Sequence, residues 1–220
     1  MTAGRAILFG VTALLVSSTP ARADWMLAAY LGTTWTRPAS LTVDRGSSGG
    51  AATLTGVAFD SRSFESPPYY GYRFGWFRER SSIGAEGELI HLKVYARPET
   101  LGANVRRFSI SHGLNLLVAN AVVRRPLLSS RRAYATVRLG AGVTVPHAES
   151  DIGGIAQEQY QLGSLALQAA LGTEFRVARR ARVLAEYKLT TAAPTVSVAG
   201  GTIQGRYLSQ HLAAGLGVAW

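Results

Sequence analysis

From Trp25 to the C-terminus, apolar residues alternate with polar or very small ones at a period of two, the signature of β-strands with unlike faces. The pattern is clearest at the end of the chain. There Leu208, Gln210, Leu212, Ala214, Leu216, Val218 and Trp220 share one face, while Ser209, His211, Ala213, Gly215, Gly217 and Ala219 share the other. The same alternation runs through Ala133–Val145, Leu165–Arg176 and Arg182–Leu189. Earlier segments of this kind are Trp25–Trp35, Tyr69–Phe77, Ile83–Tyr95 and Phe108–Val122, which brings the strands to eight.

Most of these segments reach the ~9 to 11 residues that a tilted strand needs to cross a bilayer, whereas strands of soluble domains average ~5 to 6. One face suits lipid and the other a narrow interior. The connections alternate in length in the manner of membrane barrels. Residues 36–68, 96–107, 146–160 and 192–204 form the long outer set, and residues 78–82, 123–132 and 177–181 the short inner set. The expected fold is therefore all-β, an eight-stranded antiparallel up-and-down transmembrane barrel over residues 24–220. Ala52–Asp60 also looks strand-like, so it is either a hairpin above the membrane or part of a ten-stranded barrel.

The first 23 residues read differently. Arg5, the apolar run Ala6–Val16 and the triplet Ala21-Arg22-Ala23 follow the order of a cleavable secretory signal, and the run is too short to span as a helix. Export through that signal points to the outer membrane of a Gram-negative-type bacterium. Cysteine is absent, which excludes disulfide frameworks and thiolate chemistry. The formal charge is +10, two units of which leave with the leader. For an exported chain this balance suits anionic lipid and lipopolysaccharide rather than nucleic acid.

These features together resemble the OmpA-type outer-membrane β-barrel superfamily. They are the leader ending Ala21-Arg22-Ala23, the strands Trp25–Gly32 and Tyr69–Trp76, and the ending His211–Trp220. The resemblance implies a terminal aromatic residue read by the barrel-assembly machinery. The usual residue is Phe, and Trp220 keeps its aromatic character.

Placed on such a barrel, Arg73, Glu86, Glu88, Arg138, Glu174, Arg182, Glu186, Lys188 and His211 point toward the axis, where opposite charges in a narrow space must pair. A filled interior is the expectation, and a narrow ion path lined by the same charges is the alternative. Trp25, Trp35 and Trp220 are expected in the aromatic girdles. Arg78, Arg80, Arg124, Arg125, Arg131, Arg132, Arg179 and Arg180 fall at the inner turns and predict a basic periplasmic rim.

Glu86, Glu88, His91, Lys93, Ser111, His112 and Asn115 contain the residue types of a hydrolase, and a lipid A deacylase is a further alternative. Strict alternation separates the glutamates from His91, and Ser111 from His112, and no G-x-S-x-G motif is present. Four histidines without paired spacing suggest no metal site, and no nucleotide or other cofactor motif appears. The acidic residues Asp44, Asp60, Glu65, Glu99, Glu149, Asp151 and Glu158 lie in outer connections among arginines. A structural or adhesive role through those loops is the functional expectation, with the surface ligand unspecified.

Overall fold

The computed structural model describes residues 23–46, 49–78, 81–102, 104–129 and 132–220. The leader before Ala23 lies outside this range, as do Arg80 and Arg131 of the expected basic rim. In chain order the strands are β1 (Ala23–Thr36), β2 (Ala39–Asp44), β3 (Ala51–Val57), β4 (Phe59–Asp60), β5 (Tyr70–Arg78) and β6 (Ile83–His91). Then come β7 (Val94–Ala96), β8 (Val105–Ile110), β9 (Leu116–Pro126), β10 (Ala133–Thr144), β11 (His147–Ile152) and β12 (Ile155–Tyr160). The last five are β13 (Leu165–Arg176), β14 (Ala181–Ala192), β15 (Thr195–Val198), β16 (Gly201–Gly205) and β17 (Tyr207–Ala219).

Eight of these strands close into an antiparallel barrel in the order β1-β17-β14-β13-β10-β9-β6-β5. Closure is made where β1 pairs with β17, Met26 facing Ala219 and Thr36 facing Ser209. Trp25 and Trp220 exchange both backbone hydrogen bonds at 3.0 Å, which seals the first strand to the last residue. The barrel strands run from 9 to 14 residues, long enough to cross an apolar layer at the usual tilt.

The outer wall is aliphatic. Leu27, Leu31, Leu139, Leu171 and Leu216 are each more than half exposed, while the residues between them are buried or small. Such a continuous apolar surface is stable only when something other than water covers it, and lipid chains fit its height and chemistry.

The long connections do not remain loops. At the end opposite the short turns they fold into two further sheets, β12-β11-β8-β7-β4 and β15-β16-β2-β3. Their inner faces meet over an apolar core that includes Leu41, Val43, Phe108, Ile110, Val196 and Ile203. Ala52–Asp60 belongs to this collar, as β3 and β4, and the barrel has eight strands rather than ten.

Two expected strands are each split by the collar. Ile83–Tyr95 divides into β6 and β7, and Phe108–Val122 into β8 and β9. The break between β8 and β9 is fixed by Gly113, whose φ of +105° favours glycine, and by Asn115, whose side-chain amide lies 3.2–3.4 Å from the carbonyls of His112, Gly113 and Val145. One collar sheet meets the other along two seams. At the first, β3 passes into β4 through Ala58; at the second, the Gln159 and Gln161 side chains hydrogen-bond Ser197 across from β12 to β15.

Candidate functional site

Because side chains alternate in and out, every second residue of each barrel strand must fit a lumen about as wide as two long side chains. This chain fills it with ions. Arg73 on β5 pairs with Glu88 on β6 at 2.7 Å and with Glu186 on β14 at 2.8 Å; its Nε lies 3.3 Å from Glu86 without hydrogen-bond alignment. Arg138 on β10 donates to Glu86 and Glu186 at 2.7 Å, to Glu174 at 3.1 Å and to the Thr136 hydroxyl at 2.7 Å. Lys188 contacts Glu88 and lies 3.2 Å from Glu186.

Neutral groups complete the network. Tyr30 donates its hydroxyl proton to Glu88 at 2.6 Å and accepts from Lys188 at 2.9 Å. Asn120 and Gln168 donate to the other oxygen of Glu88 at 2.8 and 2.7 Å. Glu88 thus has cationic, phenolic and amide donors, the full satisfaction that a buried carboxylate requires. Gly71 makes room for this: a Cβ there would occupy the space of the Tyr30 ring.

The nine residues expected on the axis all lie inside the barrel, but in three layers. Arg73, Glu86, Glu88, Arg138, Glu174, Glu186 and Lys188 form the middle. Arg182 lies at the short-turn end, 3.7 Å from Glu174. His211 lies at the collar end, outside the ion-pair cluster, between the Thr190 hydroxyl at 2.8 Å and the Tyr69 hydroxyl at 3.1 Å. Tyr30, Thr136, Asn120 and Gln168 were not singled out by sequence, although each occupies an inward position of its alternation.

The basic rim needs one correction. Arg124 does not join it: the side chain turns inward, its guanidinium 4.2 Å from the Phe77 ring centre and 5.1 Å from that of Tyr134, within 3.9 Å of Glu174 and 3.6 Å of Asp24. Its strand carries Val122, Arg124 and Pro126 in phase, and Val122 is inside, so alternation itself directs Arg124 to the lumen. Arg78, Arg125, Arg132, Arg179 and Arg180 are exposed around the short-turn end.

Among the aromatic residues, Trp25, Trp76 and Trp220 lie level with one another, Trp25 facing Trp76 across the ladder and stacking on Phe74 at 5.1 Å. Trp35 projects outward at the other end of β1.

The hydrolase constellation is not assembled. Glu86 and Glu88 are locked in mid-barrel, and His91 lies at the upper rim, stacked on Tyr70 and bonded to Asn115 at 2.8 Å. Lys93 lies beneath the collar, donating to the Glu65 carbonyl at 3.0 Å. Ser111 and His112 were expected on opposite faces of one strand; the break at Gly113 instead leaves the Ser111 hydroxyl 3.1 Å from His112 Nδ1. Glu149 approaches that same nitrogen at 3.4 Å, so serine and carboxylate do not engage the two ring nitrogens in relay.

In the collar the fold does create a group that sequence spacing did not suggest. His112, His147, Glu149 and Glu158 offer one ligand atom each, all within 4.8 Å of one another. Burial and the adjacent His112 hold His147 below the ordinary imidazole value, against the opposing influence of Glu158.

No protein-family model matches the chain, and no curated protein matches it. Among solved structures, it is similar to Neisserial surface protein A at 17% identity over 90% of this chain and 98% of that one, with a TM-score of 0.43. It is also similar to the outer membrane protein OprG from Pseudomonas aeruginosa, at 11% identity over 90% and 95%, TM-score 0.49. A third is Ail, the attachment invasion locus protein of Yersinia pestis, at 12% identity over 87% and 97%, TM-score 0.35. The closure, register and apolar wall described above make this chain a small eight-stranded β-barrel of the outer-membrane type.

Proposed function

We propose that the protein is a closed, non-conducting outer-membrane barrel that presents its collar at the cell surface as an interaction platform. The observation that carries this reading is the filling of the lumen at three levels. Arg124 and Arg182 with Phe77 and Tyr134 occupy the short-turn end, the ion-pair network the middle, and the apolar collar core the far end. A conducting path needs polar space that exchanges with water, and side chains bonded to one another leave the ions no such exchange.

The orientation follows the rule that long connections face outward and short turns the periplasm. The exposed arginines then meet lipid phosphate at the inner leaflet, lipopolysaccharide meets the upper wall, and the strand ending in Trp220 is the one offered to the barrel-assembly machinery, as the OmpA-like resemblance implies. The ordered collar supports surface binding because its strands hold their exposed residues in fixed register, which reduces the ordering cost of association. The mature chain reconstituted in planar bilayers is expected to give no discrete current steps. Stable ohmic steps would sink the closed-barrel reading. Cells carrying the collar are expected to lose surface attachment when the β2–β3 and β11–β12 hairpins are cut to short turns; equal attachment would remove the platform role.

A further inference from the structure

The collar pairs β11 with β12 in a register that sets Glu149 directly opposite Glu158. Like charges facing across a ladder are destabilising unless something cationic lies between them. His147, two residues before Glu149 and therefore on the same face, brings Nε2 to 3.0 Å from Glu158 Oε1. From the other side of β11, the connection after β8 carries His112, whose Nδ1 is 3.4 Å from Glu149 Oε1. The two imidazole rings meet edge to face at 4.5 Å. Two imidazoles and two carboxylates, drawn from two separate connections, thus converge on one point of the protein surface.

We infer that these four residues form a binding site for a divalent transition-metal cation of the zinc class. Tetrahedral coordination at ~2.0–2.1 Å bond lengths places ligand atoms about 3.3 to 3.4 Å apart. The existing separations of 3.0 and 3.4 Å need little change, and the remaining pairs, within 4.8 Å, need a modest contraction. Imidazole nitrogen with carboxylate oxygen suits Zn2+, Cu2+ or Ni2+ and disfavours Ca2+ and Mg2+, which take all-oxygen shells.

One surrounding favours ligation over a simple ion-pair cluster. Arg107 pairs with Glu149 through Oε2 and leaves Oε1 facing the histidines, the kind of outer contact that orients a metal-binding carboxylate. The Ser111 hydroxyl, which contacts Oε1, rotates away when a metal takes that oxygen. A bound cation would tie the β8–β9 connection to the β11–β12 hairpin, acting as a clip within one collar sheet. The inference does not depend on which way the barrel faces.

The test uses the untagged chain folded in detergent micelles, stripped with a chelator and titrated with Zn2+ by calorimetry, and with Co2+ followed by its visible absorption. His112→Ala and Glu158→Gln change half-exposed side chains, so the barrel persists, checked by its heat-dependent mobility on SDS gels. Expected are uptake of a single Zn2+, intense Co2+ bands typical of tetrahedral geometry, and weakening of at least about tenfold in each variant. No uptake by the folded parent chain would overturn the inference. So would uptake that both variants leave unchanged, or that Ca2+ and Mg2+ displace as readily as Zn2+ enters.

Discussion

Arg138, like Arg73, touches three of the four carboxylates in the middle of the barrel, so its removal strands charge on three strands at once. Breaking a buried ion pair by deleting one partner costs about 3–5 kcal/mol, because the remaining ions stay desolvated. Arg138→Met is expected to lower stability by that order, read from urea unfolding in micelles. Arg125→Met, on the exposed rim, should stay within about 0.5 kcal/mol. Gly71→Val is a separate test of steric fit: displacing Tyr30 removes its bonds to Glu88 and Lys188, and a loss of about 1–3 kcal/mol is expected in the same assay. The charged members of this interior were legible because an arginine or glutamate at an inward position has no other explanation. Tyr30, Asn120, Thr136 and Gln168 were not, since each residue type is ordinary in a strand. Arg124 was misplaced for a different reason: it stands next to a turn, where arginines usually face water, and only its phase with Val122 told otherwise.

Strands in the membrane layer were readable because burial there has two sharply different sides. Above that layer the contrast fades. The collar strands bury one face on a shared apolar core and leave the other in water, over only 2 to 7 residues each, too short for alternation to establish a register. Residues 83–95 and 108–122 therefore look like single strands, and the second break depends on the conformation of Gly113. The four-residue cluster is hidden for the same reason: its members are 2 to 46 residues apart, and only the pairing of β11 with β12 and with β8 brings them together. Since barrel and collar meet at these breaks, trimming the β11–β12 hairpin to an Asn-Gly turn should leave the barrel closed. The trimmed chain is expected to keep its heat-dependent gel shift; its loss would show that the barrel needs the collar to form.

At the scale of the whole molecule, the two collar sheets share a core but no backbone ladder. Along the β12–β15 seam their union rests on the side chains of Gln159, Gln161 and Ser197. The barrel below has no free edge, whereas each collar sheet has two. A hydrogen-bonded ladder must break in order to open, whereas a seam of three side chains has fewer bonds to lose. The upper half of the molecule is thus built like the two valves of a shell, joined through the chain at Ala58 and latched by amides opposite. The latch edge is where amide hydrogens should exchange with solvent sooner than anywhere along the membrane-spanning wall.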